Sequence, residues 1–150
     1  MNTNFNSLDE NYFGQEFDLW RDVKGYEGYY IVSKDGIVKR TGGSVKRGNH
    51  LLSVPERTLL PLDNGKGYLR IKLTKNNNAK RVMLHRIIAE AWVVNINNKP
   101  CVNHIDGNKK NNTIENLEWV TQIENVRHSV LIGTFHKYKK LKISGTKFQS

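Results

Sequence analysis

The stretch "VNHIDGNKKNN", Val102 to Asn112, gathers one imidazole, one carboxylate and several amides around a turn, with two lysines among them. Further along, Asn116 follows in the return of the loop, and Asn125 and His128 stand three residues apart. On a helix that spacing puts both on one face. Hydrolysis of a phosphodiester needs a base to activate water and a cation to neutralise the phosphate and the leaving oxygen. His104 can be the base. Asn125, helped by Asn103 or His128, can hold the cation. The plain alternative is a hydrogen-bonded turn with a histidine at a strand end.

These groups need elements to position them. "CVNHI" reads as a short strand, "DGNKKNNTIEN" as a loop and "LEWVT" as a second short strand. Thr121-Gln122-Ile123-Glu124 matches a capping box, so a helix starts after Thr121 and runs to about Ile132, with Gly133 just past its end. Upstream, Leu84, Ile87, Ile88, Ala91 and Trp92 form one stripe of an amphipathic helix that ends near "NINNKP". Before it, "GYLRIKLTKNNNAKRVML" reads as a hairpin turning at Asn76-Asn77-Asn78, with Leu69, Ile71 and Leu73 on one face and Arg70 and Lys72 on the other. "YYIV" and "IVKR" flank an Asp-Gly turn and predict an earlier hairpin. Residues 41–57 read as a glycine-rich basic connector. Trp92 and Trp119 are expected in the core, and Trp20 against the N-terminal hairpin.

The 150 residues suffice for one domain or two small lobes. No apolar run approaches the roughly 18 residues of a membrane span, and the N-terminus lacks the pattern of a signal peptide. The expected location is intracellular, in the cytoplasm. Cys101 is the only cysteine, which excludes an internal disulfide and a cysteine-rich zinc knuckle; a buried free thiol is expected. The net charge of +10 is uneven, because residues 1–18 hold four acids and no Lys or Arg. The C-terminal "FHKYKKLKISGTKFQS" has five lysines and no acid. Such a surface attracts polyanions, nucleic acid first among them.

"VNHIDGNKKNNTIENLEWVTQIENVRH" resembles the HNH nucleases, in the branch found among phage and intron-encoded homing endonucleases. "MLHRIIAEAW" is similar to the "HR…AEAF" helix of that branch, and "WRDVKGYEGYYIVSKDGIVKR" resembles the short N-terminal module often attached to those enzymes. The resemblance implies an α+β fold: a ββα-metal (His-Me finger) core with a small β-hairpin-rich N-terminal module. It implies that two strands and a helix clamp one divalent ion, Mg2+ or Mn2+. His104 then matches the first motif position and the general base. Asn116 matches the central Asn that fixes the loop and helps orient the base. Asn125 matches the terminal metal ligand, with His128 one turn on as a second ligand or phosphate contact. Asn103 stands where many members carry an aspartate ligand, so the protein contributes little charge to the ion. Oxygen donors still suit a hard cation.

The expected partner is double-stranded DNA, cut to leave 5′-phosphate and 3′-hydroxyl ends, by a monomer or weak homodimer; one site per chain nicks one strand. Candidate DNA contacts are Arg70 and Lys72 on the hairpin, Arg86, Lys109 and Lys110 in the loop, and Lys137, Lys139 and Lys140 in the tail. They would grip phosphates rather than read bases. Asp106-Gly107 is most simply a turn, and His85 a residue beside the site rather than in it. The expected division is an acidic arm (1–18), the N-terminal module and connector (19–60), the nuclease domain (61–132) and a basic tail (133–150). Two other classes fit the same residues: a DNA-binding protein of this fold with a dead site, and a basic RNA-binding factor.

Overall fold

The computed structural model describes residues 19–133, apart from the side chains of residues 45 and 47. The expected acidic arm and nearly all of the basic tail, with Lys137, Lys139 and Lys140, lie outside the described residues.

Among the described residues, four small antiparallel sheets, two α-helices and a short 3-10 turn at Ile114–Asn116 build the fold. Strands β1 (Trp20–Asp22), β2 (Tyr30–Ser33) and β3 (Val38–Arg40) form the N-terminal sheet, extended by β6 (Arg57–Leu59). The β2–β3 hairpin has the register Val32↔Val38, across the Asp35-Gly36 turn. The segment read as a connector is in fact ordered. β4 (Gly43–Arg47) pairs with β5 (His50–Val54) as a separate hairpin that reverses through Gly48. Its leucines are exposed, so no burial pattern betrays the strands in the sequence.

β8 (Leu69–Lys75) pairs with β9 (Asn78–Met83), with the short β7 (Leu62–Asp63) on the other edge. The reversal needs only Asn76 and Asn77, at φ 52° and 62°. Two left-handed residues make the tight turn whose twist suits a hairpin, and asparagine tolerates that region. Ile71 and Leu73 are buried while Lys72 and Thr74 face out. Helix α1 (Leu84–Trp92) stops at Val93, ahead of "NINNKP".

β10 (Cys101–His104) and β11 (Leu117–Val120) pair antiparallel, with His104 opposite Leu117 and Asn103 opposite Glu118. Helix α2 (Gln122–Leu131) follows, its capping box complete. The Thr121 oxygen accepts from Glu124 N at 3.2 Å, and Glu124 Oε2 accepts from Thr121 N at 2.6 Å. That bond, then the Lys99 ammonium, pulls the Glu124 carboxyl down to about 2. α2 packs on both strands, so the segment is strand, strand, helix in space as in sequence.

One apolar core runs through both halves. Val23, just past β1, and Tyr30, Val32 and Val38 from the N-terminal sheet meet Ile71, Leu73, Leu84, Ile87, Ile88 and Leu117. Trp92 and Trp119 are only half-buried. Trp92 Nε1 donates to Val32 O at 3.2 Å and Trp119 Nε1 to Val93 O at 3.0 Å. The Tyr30 hydroxyl donates to Thr74 O at 3.1 Å and accepts from Thr74 N at 2.9 Å, which ties β2 to β8. Trp20 lies under the Lys39 ammonium, 4.5 Å from the ring centre. Cys101, expected buried, is half-buried instead, its thiol 3.1 Å from Gln122 Oε1. It sits on a sheet that has two strands among the described residues.

Because the core is shared, Ile88→Ala should lower stability by about 2–5 kcal/mol. Urea unfolding followed at Trp20 and Trp119 should still show one coincident transition.

Candidate active site

Strand β10 ends at His104, and the chain turns at once. Gly107 N donates to His104 O at 3.0 Å, and Gly107 takes a φ of +73° that only glycine adopts freely. The loop that follows is closed by one side chain. Asn116 Nδ2 donates to Asp106 Oδ1 at 2.9 Å and to Asn111 O at 2.8 Å, while its Oδ1 accepts from Asp106 N at 3.0 Å. Its carbonyl also accepts from Ile105 N at 2.9 Å. Asn116 is buried, and these bonds give both its amide N–H groups and its amide oxygen a partner in place of water. It touches the loop and not the His104 ring.

Asp106 is held inside the same loop. Besides Asn116 it accepts from Asn111 Nδ2 at 2.7 Å and from Asn108 N at 2.7 Å. The Asn111 bond first, with those from Asn108 and Asn116, holds its carboxyl below the usual range. Those bonds engage both oxygens and hold the carboxylate to its own loop.

His104 is 4% exposed, and its Nε2 lies 3.2 Å from Asn112 Oδ1. The ring meets two others: His85 edge-on with centroids 5.1 Å apart, and Tyr68 at 6.1 Å. Burial pushes the His104 imidazole below its ordinary range; the Asn112 bond and the Asp106 charge oppose that, and the Lys109 charge adds to it. His85 is pushed down to about 4, by burial first and then by His104 and Arg86. Its Nδ1 is buried without a hydrogen-bond partner. Both imidazoles are therefore neutral at neutral pH, the state a general base requires.

A cleft of about 290 Å³ opens beside His104 and is lined by Asn103, Lys109, Asn125 and His128, with Tyr68 and Gln122. Asn103, buried, donates from Nδ2 to Glu118 Oε1 at 2.8 Å, which leaves its amide oxygen as the free donor atom. The Asn125 amide makes no hydrogen bond within the described residues, although its backbone N–H serves the helix. His128 Nε2 lies 3.0 Å from Ile105 O, so this ring donates to the loop and keeps only Nδ1 for another partner. No cluster of three or more His, Cys, Asp or Glu suited to a metal occurs among the described residues. A cation here would meet amide oxygens, with the Glu118 carboxylate one hydrogen bond away.

The lysines and arginines divide. Lys109 Nζ donates to Lys66 O at 3.1 Å and sits 4.3 Å from the centre of the Tyr68 ring, at the cleft. Lys110 is exposed, 3.8 Å from Asp63. Lys72 is exposed on β8, whereas Arg70 is half-buried with Nε unpartnered. Arg86 turns inward: Nη2 donates to Pro100 O at 3.1 Å and the guanidinium lies 5.9 Å from the Trp119 ring centre. It ties α1 to the entry of β10. Asn112, Tyr68 and Glu118 carried no functional reading in the sequence. Only Glu118, directly opposite Asn103 once the two strands are paired, was within reach of sequence reasoning.

Burial of neutral His85 couples the site to stability. The unfolded ring titrates near 6.5 and the folded one near 4. The unfolded state therefore binds more protons between those values. Stability is full above pH 6.5 and falls as the pH drops toward 4, by about 3 kcal/mol for this ring. His85→Phe should flatten that slope in urea unfolding at pH 7 and pH 4.5.

Comparison with known proteins agrees with this geometry. A family model described as HNH endonuclease matches residues 82–127, and a NUMOD4 motif matches residues 19–74. The chain is 38% identical over 130 residues to DNA endonuclease I-HmuI of Bacillus phage SP01, covering 87% of this chain and 68% of that one. It is 40% identical over 105 residues to an uncharacterized HNH endonuclease of Acanthamoeba polyphaga mimivirus, of which it spans 28%. A solved structure of I-HmuI, described as showing DNA binding and cleavage by that homing endonuclease, superposes with a TM-score of 0.65 at 37% identity. It covers 83% of this chain and 65% of that one. With both strands, the loop between them and the first part of helix α2 inside the matched region, the chain belongs to the HNH endonuclease family.

Proposed function

We propose that this protein is a metal-dependent DNA endonuclease that hydrolyses phosphodiester bonds, nicking or cutting duplex DNA. One observation carries the reading: a buried neutral imidazole, His104, opens onto the same cleft as the oxygen donors Asn103 and Asn125. A dead site of the same fold would lack that base, and an RNA-binding surface would not need it.

His104 takes a proton from the attacking water. Asn116 keeps the loop closed so that the ring stays in place. Asn103 and Asn125 would hold a divalent cation by their amide oxygens, and His128 by Nδ1. This donor set suits Mg2+ or Mn2+. A cation bound there supplies positive charge to the phosphate and the departing 3′ oxygen. Lys109 lies at the cleft and faces phosphate; Lys72 and Lys110, exposed nearby, lie along the duplex, with Arg70 beside them on β8. The tail lysines 137, 139 and 140 add affinity that weakens with salt. One such site per chain cuts one strand, so a double-strand break takes two chains or two visits.

Two neutral amides and an imidazole bind a cation weakly. Calorimetry should therefore find no tight Mg2+ binding without DNA, and tighter binding once the phosphate contributes its charge. In a supercoiled-plasmid assay with Mg2+, Mn2+ or EDTA, wild-type nicking should require metal. His104→Ala should slow it by about 10²- to 10⁴-fold. Metal-dependent cleavage at an undiminished rate in His104→Ala would place the base elsewhere. DNA binding without cleavage by either protein would favour the dead-site reading, and tight binding to structured RNA without cleavage the RNA-binding one.

A further inference from the structure

The asparagine within hydrogen-bond reach of the His104 ring is Asn112, not Asn116. Asn112 is 6% exposed, and the direction of its amide is fixed by its other contacts. Nδ2 faces the carbonyls of Lys110 at 3.1 Å and Lys109 at 3.4 Å. Carbonyls only accept, so the amide nitrogen must lie on that side and Oδ1 must face the ring. An amide oxygen also only accepts. Nε2 of His104 therefore carries the hydrogen, and the lone pair is on Nδ1.

The backbone of Asn112 is in turn seated by the N-terminal sheet. A Cβ on Gly36 would stand 2.8 Å from Asn112 O and 3.0 Å from Ile88 Cδ1. Gly36 has a φ of +81° and belongs to the β2–β3 turn, which is fixed by Gly36 N donating to Ser33 O at 3.2 Å and Ile37 N to Ser33 Oγ at 3.1 Å. Backbone lies against backbone here, with no flexible side chain between them to absorb a change.

We infer a positioning relay. The Gly36 turn seats Asn112, and Asn112 fixes the ring angle and tautomer of His104, so that Nδ1 is the nitrogen that takes the proton. The N-terminal module thus supports the base itself, apart from any contact it makes with nucleic acid. The kinetic consequence rests on the endonuclease reading above; the tautomer does not.

Four variants of the full chain test the relay. Asn112→Asp keeps an acceptor for Nε2 but loses both bonds to the loop carbonyls. Asn112→Leu loses all three. Gly36→Ala adds the clashing Cβ. Gly25→Ala is its control, with nearly the same φ, +80°, and nothing within 4 Å of the added Cβ. The His104 tautomer is read by nitrogen-15 NMR, and kcat and KM by plasmid nicking. Wild type should show the Nε2–H form, and Asn112→Leu a mixture, with kcat down about 10- to 100-fold and KM little changed. Asn112→Asp should recover most of that loss. Gly36→Ala should lower kcat about tenfold, and Gly25→Ala should not. A wild-type Nδ1–H form, an unchanged tautomer in Asn112→Leu, or Asn112→Asp as slow as Asn112→Leu would each overturn the role of Asn112. Equal kcat in Gly36→Ala and Gly25→Ala would overturn the part assigned to the module. If wild type cuts no DNA while Asn112→Leu still shifts the tautomer, the relay stands and the endonuclease reading falls.

Discussion

Closure of the loop between β10 and β11 by the Asn116 side chain is the constraint on which the site depends. A loop of this length has no ladder to satisfy its polar groups, and buried ones left unpaired are costly. One amide answers much of that demand, bonding Asp106 at both its backbone and its carboxylate and Asn111 at its carbonyl. The two strand ends are thereby held where His104 faces Leu117 and Asn103 faces Glu118. Asn112, between the two anchors, is delivered to the imidazole. His128 adds a further tie from the helix to the loop at Ile105.

The polar content of the cleft follows from what surrounds it. Two imidazoles side by side cannot both be charged in a buried setting, and burial keeps each neutral. Asp106, the carboxylate in the loop near His104, stays ionised and is held to the loop by the hydrogen bonds it accepts. What remains for a phosphate is the Lys109 ammonium, held over Tyr68. What remains for a cation is a set of oxygen atoms with little charge. On the function proposed above, an anionic substrate would complete that set.

The N-terminal sheet and the strand–strand–helix segment share one core, and α1 joins them. Ile88 is both a core residue and a neighbour of Gly36, so the packing that stabilises the fold also reaches the turn beside Asn112. Arg21 strengthens the same junction, donating to Ala91 O at 2.9 Å and lying over the Trp92 ring at 4.2 Å. Treating the first module as an attachment to an independent nuclease misses this continuity.

Local chemistry determined much of this protein without tertiary help. The capping box at Thr121, the apolar stripe from Leu84 to Trp92, the β8–β9 alternation and the strand–loop–strand order around His104 are all properties of neighbours in sequence, and all were legible there. The β4–β5 hairpin was not, because its exposed strands carry no burial pattern. The half-buried state of Cys101 was not, because it depends on which strands flank a sheet. Asn116 was singled out as the residue that fixes the loop, but sequence reasoning could not tell that Asn112, rather than Asn116, Asn111 or Asn108, bonds the imidazole, since identical amides in one loop differ only in what the fold puts beside them. The residue types and their spacing set what chemistry is available. Only the tertiary structure decided which asparagine meets the imidazole, which carboxylate is already occupied and which glycine stands behind them, because those depend on contacts between segments far apart in the chain.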